Sequence, residues 1–252
     1  MTGASSGIGE SIARVAARDG HDLVLVARGA DALARLADDL ARDHGVSAET
    51  LPADLADADG LASVAARLGD RERPVEIVVN NAGRGTGGPF AELPVEGELA
   101  QIDLNVTALV RLTHAALAVM VPRRHGGVLN VASLGGFQPA PFNATYSATK
   151  AFVLSFTEAV HEEVRTAGVH VSCLCPGFTR TGFQAASGLD ASGLPDFLWQ
   201  SADEVAEAAW SGLGRNQAVV VPGAVNKATA TGVRFLPRVA VRRLAGRIAG
   251  SL

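Results

Sequence analysis

Thr2-Gly3-Ala4-Ser5-Ser6-Gly7-Ile8-Gly9 stands at the head of the chain and runs directly into the alanine-rich helical pattern Ile8–Arg18. Glycines at this spacing let the backbone turn sharply and come close to a ligand. The N-terminus of the helix that follows offers free N–H groups to a pyrophosphate. The spacing differs from the G-x-G-x-x-G of the standard dinucleotide fingerprint. Taken alone, the same residues also suit a flexible tail leading into a helix, so the rest of the chain has to decide.

Outward from this loop, short β-rich runs alternate with longer helical patterns. Strands are predicted at Asp22–Ala27, Glu49–Pro52, Val75–Asn80, Val128–Ala132, Val169–Cys175 and Ala218–Val221. Helices are predicted at Ile8–Arg18, Ala30–Asp43, Asp59–Leu68, Val95–Val121, Tyr146–Thr166 and Ala202–Gly212. Continuous apolar strands separated by helices specify a parallel sheet covered on both faces. The predicted fold is α/β, a Rossmann-like doubly wound parallel sheet, as one domain over residues 1–252. Such a fold begins with a strand that delivers the chain into the glycine loop. Here the loop begins at residue 2, so the first strand is expected to be missing from this chain. Its place is mid-sheet, and each buried backbone group left unpaired there would cost about 1–3 kcal/mol. The expectation is that Met1 is a misplaced start, a valine initiation codon read as methionine, with the strand upstream. If the start is real, poor folding and weak cofactor binding are expected.

Hydrophobic residues make up 48% and charged residues 19% of the 252, which suits a buried core and excludes a disordered chain. The net charge of -4, with no basic stripe interleaved with aromatics, argues against a nucleic-acid partner. Met1–Gly7 has neither the basic region nor the apolar core of a signal peptide, and runs such as Leu23–Ala27 are too short to span a bilayer. Cys173 and Cys175, two apart in a strand, read as packed thiols, and no metal is expected. A cytoplasmic location is the default.

Strand residues Leu23–Val26 end in Ala27-Arg28 with no acid. In an open sheet of this kind, a carboxylate at that point reads the ribose of NAD, whereas an arginine accommodates the 2′-phosphate of NADP. NADP is therefore favoured over NAD, the alternative being a surface arginine at a helix start. Asp54, beside Leu55, either accepts from an adenine amino group or caps the following helix. Asn80-Asn81-Ala82-Gly83 closes a strand at the carboxyl edge of the sheet, where ligands of open α/β sheets bind; an ordinary turn would look the same.

Tyr146-Ser147-Ala148-Thr149-Lys150 opens a helix, so Tyr146 and Lys150 share one face. A cation about 5 Å away, at an effective dielectric of about 20, stabilises a phenolate by about 3 kcal/mol, or about two pKa units. With the further positive charge of an oxidised nicotinamide, that is expected to bring the phenol near working pH, where proton transfer to a carbonyl is most useful. Tyr146 is the only tyrosine of the chain, and Lys150 is one of two lysines in a chain that otherwise uses arginine.

Together these residues resemble the short-chain dehydrogenase/reductase family in its compact form. Thr2-Gly-x-x-x-Gly-x-Gly9, Asn80-Asn81-Ala82-Gly83, Ser133, Tyr146-x-x-x-Lys150 and Pro176-Gly177 occur in family order and at family-like spacing. The resemblance implies that Tyr146 is the general acid/base, Ser133 a hydrogen-bond donor to the substrate oxygen, and Lys150 a ligand of the nicotinamide ribose. It implies that Asn105 supports a proton relay through the lysine, with a helix-interior amide as the alternative. The cofactor would be held by Gly3, Ser5, Ser6, Gly7, Ile8, Gly9, Arg28, Asp54, Leu55, Asn81, Ala82, Gly83, Tyr146, Lys150, Pro176, Gly177, Thr179 and Thr181.

The implied reaction is hydride transfer between a nicotinamide and a carbonyl or hydroxyl of a small molecule. A catalytically silent NADP-binding regulator and a non-functional truncated chain are the alternatives. Phe183–Gln200, with Phe183, Leu189, Leu194, Phe197, Leu198 and Trp199, is where the family keeps a lid. Phe137, Phe142 and Phe178 are expected to line the same pocket, which suggests a lipophilic substrate; core residues of a helical cap are the other reading. The long helices Val95–Val121 and Tyr146–Thr166 resemble the family's dimer-forming pair, so a homodimer or homotetramer is expected. After Glu207 there is no acidic residue, and a basic tail occupies about residues 227–252, interrupted at Pro237. It reads as a solvated helix packed on the domain, with contact to an anionic membrane surface or acidic partner as the alternative.

Overall fold

Short extended runs, most of them rich in Leu and Val, become the strands. They are β1 (Leu23–Ala27), β2 (Ala48–Pro52), β3 (Ile77–Asn80), β4 (Gly126–Val131), β5 (Val169–Leu174), the short pair β6 (Phe178–Thr179) and β7 (Trp199–Gln200), and β8 (Val219–Val220). The helices are α1 (Gly7–Arg18), α2 (Ala30–His44), α3 (Ala58–Gly69), α4 (Val95–Ile102), α5 (Leu109–Arg123), α6 (Ala144–Val164), α7 (Phe183–Ser187), α8 (Ala202–Gly214), α9 (Ala224–Phe235) and α10 (Arg238–Ala249). The computed structural model describes residues 1–188 and 193–249. Leu189 of the predicted lid and residues 250–252 of the basic tail lie outside them.

The main strands pair in parallel, in the orders β1-β2 and β3-β4-β5-β8. Side chains from both faces are buried. Ile12 of α1 and Val205 and Leu213 of α8 pack on one side with Leu129 and Leu174. Val64, Leu112 and Met120 pack on the other with Val128 and Val171. This is the doubly wound architecture that the strand–helix alternation predicts.

At the centre no strand lies between β1 and β3 among the described residues, as expected, but Met1 and Thr2 pair the two edges at their carboxyl ends. Thr2 bridges Val26 in parallel, the Thr2 N–H donates to the Val79 carbonyl at 3.0 Å, and the Val26 N–H donates to the Met1 carbonyl at 2.9 Å. Met1 and Thr2 thus occupy the carboxyl end of the central position and join β1 to β3 beside the glycine loop. Below this junction lies a cavity of about 310 Å³ lined by His21, Ile77, Trp210 and Leu213, among others.

The predicted single helix Val95–Val121 is divided. Residues Asp103–Ala108 form a π-helical turn between α4 and α5. Wide turns of this kind cluster at functional sites, and this one carries Asn105. By length and apolarity the run Val95–Arg123 could cross a membrane. In the fold it is a core element, burying Leu109, Leu112, Ala116 and Met120. Pro237 separates α9 from α10, as its lack of an N–H requires.

Candidate active site

Gly3 and Gly7 adopt φ of 63° and 58°, the left-handed region that an L side chain resists. Gly9 is required for a different reason. A Cβ there would stand 2.2 Å from the Gly3 carbonyl oxygen. Thr2 fastens this loop to the end of β3. Its hydroxyl donates to the Val79 carbonyl at 3.2 Å and accepts the N–H groups of Asn81 and Ala82, each at 3.0 Å. The Asn81 side-chain amide returns bonds to the Thr2 and Gly3 carbonyls at 3.1 and 3.2 Å. No side chain caps the N-terminus of α1, so its first turn keeps its positive end for a ligand.

The loop forms one end of a cavity of about 700 Å³. Every residue singled out from the sequence as a site residue lines it, except Gly9 and Asn105. Gly9 lies beneath the loop, and Asn105 is buried behind Gly83 and Arg84. Arg28 lines the cavity at the end of β1 and makes no ion pair or side-chain hydrogen bond among the described residues. Asp54 does not cap α3. That cap is Asp57, which accepts from the Asp59 and Gly60 N–H groups, while Asp54 accepts the Ala56 N–H at 3.0 Å and faces the cavity. The Thr181 methyl lies against Gly7, where a Cβ would come within 3.0 Å of it, so the segment after β5 folds back over the loop. An uncapped helix start, side-chain-free turns and an unpaired guanidinium fit a dinucleotide that carries an additional phosphate.

At the other end stand Ser133, Tyr146 and Lys150. Ser133 closes β4, where its hydroxyl accepts the Gly135 N–H at 3.0 Å. Tyr146 lies in the first turn of α6, and the Phe183 ring of α7 is 5.4 Å from it, centre to centre. Lys150 is buried, donates to the Val131 carbonyl at 2.8 Å, and places its ammonium 5.6 Å from the Tyr146 ring centre. Asn105 accepts the Arg84 N–H at 3.0 Å and donates to the Arg84 carbonyl at 2.9 Å and to Thr149 Oγ1 at 3.1 Å. It therefore spans from the π-turn to both the Asn81–Gly83 loop and α6.

Two sequence expectations need correction here. Lys150 by itself does not bring the phenol toward neutrality. Burial pushes Tyr146 up to about 12, opposed only by the Ser133 hydroxyl. Burial also lowers Lys150 to about 8, and its ammonium is directed to Val131 and the ring rather than shared with the phenol oxygen. The second concerns the pocket lining. Phe137, Phe142 and Phe178 are not among the cavity's walls, whereas Phe183, Gln184 and Ser187 of α7 are. Phe137 lies beneath the Arg234 guanidinium, Phe178 against Trp199, and Phe142 at the surface.

Sequence reasoning missed Thr2 and Thr149 as individual residues and Arg84 altogether. Arg84 lines the cavity next to Gly83, and its position directly after the Asn-Asn-Ala-Gly run was the one available signal.

A dinucleotide cleft joined to a Ser–Tyr–Lys cluster defines a nicotinamide-dependent oxidoreductase. A family model described as short chain dehydrogenase matches residues 1–192. The chain belongs to the short-chain dehydrogenase/reductase family, whose chemistry acts on carbonyl and hydroxyl groups. It is similar to a short-chain dehydrogenase from Sphingobium yanoikuyae solved with NADPH, with 39% identity and a TM-score of 0.86 over 93% of this chain and 91% of that one. A bulky-bulky ketone specific alcohol dehydrogenase from Comamonas testosteroni is 31% identical, with a TM-score of 0.80 and 94% of each chain covered. A very-long-chain 3-oxoacyl-CoA reductase from Laccaria bicolor is 38% identical over 178 residues, which span 69% of this chain and 52% of that protein.

Proposed function

We propose that this protein is an NADP-dependent reductase of small lipophilic ketones or aldehydes, working as a single domain with α7 and residues 193–200 as parts of its lid. The observation that carries the reading is one continuous cavity with the glycine loop and Arg28 at one end and Ser133, Tyr146 and Lys150 at the other. Arg28, with no acid beside it, supports NADP over NAD. Phe183 against Tyr146 supports an apolar partner for the reacting carbonyl. So do the bulky ketone and long-chain oxoacyl substrates in the names of similar proteins.

When bound, NADPH supplies the hydride. The chain's own residues handle the proton and the charge. Ser133 donates a hydrogen bond to the substrate oxygen as negative charge develops there. Tyr146, whose pKa burial raises to about 12, carries the proton that this oxygen takes up. Lys150 stands behind Tyr146 with a pKa near 8, so it can release and regain a proton close to neutrality. Asn105 holds the Arg84 backbone and Thr149, fixing the loop and helix between which that proton must pass. Gly83 keeps this passage open, since a Cβ there would lie 3.2 Å from Asn105 Oδ1 and 3.5 Å from Lys150 Nζ.

Val95, Leu99 and Ile102 of α4 and Phe152 of α6 are exposed apolar side chains, which supports a homodimer or homotetramer built on these helices. Two buried free thiols, Cys173 and Cys175, agree with a reducing, cytoplasmic setting.

The test is NADPH oxidation by the purified protein with a graded panel of aldehydes and ketones. Turnover that improves with substrate apolarity and is slower with NADH is the expected result. Tight NADPH binding without turnover on any carbonyl compound would instead assign a catalytically silent binder.

A further inference from the structure

The last two helices carry a surface that the hydride chemistry does not use. Around Pro237, Phe235 is 83% exposed, Leu236 51%, Val239 48% and Leu244 54%. These apolar groups are interleaved with Arg234, Arg238, Arg242 and Arg243. Arg234 reaches Glu158 at 3.8 Å. Arg238, Arg242 and Arg243 make no ion pair or side-chain hydrogen bond among the described residues. Beyond Glu207 the sequence has seven cations and no carboxylate, in a chain of net charge -4. Positive charge is therefore concentrated in the C-terminal part of an otherwise acidic sequence. Val241 of α10 is buried.

The helix that leads to this surface starts beside the catalytic cavity. The Asn226 side chain of α9 donates to Gln200 Oε1 of β7 at 2.8 Å and crowds Gly177, a cavity residue. Arg234 lies over Phe137, three residues after Leu134, which follows Ser133. Phe178 and Phe197, on and next to the strands that α9 touches, are themselves exposed.

We propose that the α9–Pro237–α10 end docks on an anionic membrane surface. Phe235 and Leu236 enter the boundary between head groups and acyl chains, and Arg238, Arg242 and Arg243 bind anionic head groups. Unpaired guanidinium groups around exposed apolar side chains match that interface in both charge and polarity. A folded acidic protein fits less well, because a bare phenylalanine at the apex of a helical turn calls for a deformable apolar medium. That docking would bring the cavity mouth to a store of lipophilic carbonyl compounds, and this last link rests on the function proposed above.

The experiment is sedimentation of the full chain with vesicles of phosphatidylcholine containing about 30 mol % phosphatidylglycerol, against vesicles of phosphatidylcholine alone. The expected result is partition to the anionic vesicles only, weakened when salt rises from about 0.1 M to about 0.5 M. The triple variant Arg238→Glu/Arg242→Glu/Arg243→Glu should bind at least about a hundredfold more weakly. Phe235→Ser should bind about tenfold more weakly and keep the salt dependence. NADPH turnover on a water-soluble aldehyde should be unchanged in both variants, which separates failure of docking from failure of the reductase reading. A wild-type chain that stays in the supernatant with anionic vesicles overturns the proposal, as does a triple variant that binds as well as wild type. Retention on immobilised polyglutamate without vesicle binding also overturns it and assigns the surface to an acidic protein.

Discussion

Lys150 Nζ donates to the Val131 carbonyl at 2.8 Å, so the ammonium on α6 is tied to the end of β4 two residues before Ser133. One bond therefore sets the distance between the helix that carries Tyr146 and the strand that presents Ser133. Burial lowers the lysine to about 8 from the 10.5 of a free side chain. The folded protein thus binds this proton less tightly than the unfolded chain does. The associated stability is present above about 10.5 and lost as pH falls through about 8, a term on the order of 3 kcal/mol. In cofactor-free protein, Lys150→Met removes it, so the melting temperature of the variant relative to wild type should fall mainly between about pH 8 and about pH 10.5. A constant difference across that range would mean that the ammonium is not buried as described. The same variant should lose about a hundredfold or more in turnover.

Tyr146→Phe deletes one oxygen and leaves the ring against Phe183 in place. With its pKa raised to about 12, the phenol is fully protonated across the working range, so its loss removes a proton donor rather than a charge. Turnover should fall by about 10²–10⁴ with NADPH binding within about twofold of wild type. Calorimetric titration and steady-state rates on the same preparation separate the two effects. An undiminished rate would exclude Tyr146 as the acid.

Local spacing carried most of this site in the sequence. Tyr146 and Lys150 are one helical turn apart, and Gly3, Gly7 and Gly9 lie within a single loop, so their geometry follows from helix pitch and glycine stereochemistry. What could not be read depends on partners distant in sequence. Asn80 and Asn81 are neighbours of the same type, yet Asn80 enters a buried polar network with Asn130 and Thr113, whereas Asn81 holds the glycine loop. Nothing in the dipeptide distinguishes them. The π-turn at Asn105 was hidden for a similar reason, because the apolar periodicity continues through it and its bonding partner is the Arg84 backbone. The fate of Lys150's charge likewise depended on Val131 and on burial, both set by tertiary packing.

Arg28 lines the cavity with no ion-pair or side-chain hydrogen-bond partner among the described residues, so its charge is available to a 2′-phosphate. A charge-assisted bond of that kind is worth about 1.5–3 kcal/mol. Arg28→Ala should raise the KM for NADPH by about 10- to 100-fold and leave that for NADH nearly unchanged. Arg28→Asp should in addition improve NADH use, since a carboxylate at this strand end can accept from ribose hydroxyls. Equal losses with the two cofactors would show that Arg28 does not read the phosphate.

Thr2 makes the most far-reaching prediction, because its hydroxyl is shared by three backbone groups. It donates to Val79 and accepts from Asn81 and Ala82, and the side chain is buried. Thr2→Val keeps the shape but leaves the Asn81 and Ala82 N–H groups with no acceptor in a place that water does not easily reach. Such orphaned donors cost about 1–3 kcal/mol each. The Asn81–Gly83 loop is the one that Asn105 and Lys150 also face, so its displacement should weaken NADPH binding and turnover together. Thr2→Ser retains the oxygen and should restore both, as well as most of the melting temperature. If Thr2→Val melts and binds NADPH like the wild type, the glycine loop and the end of β3 are held together by something other than this hydroxyl.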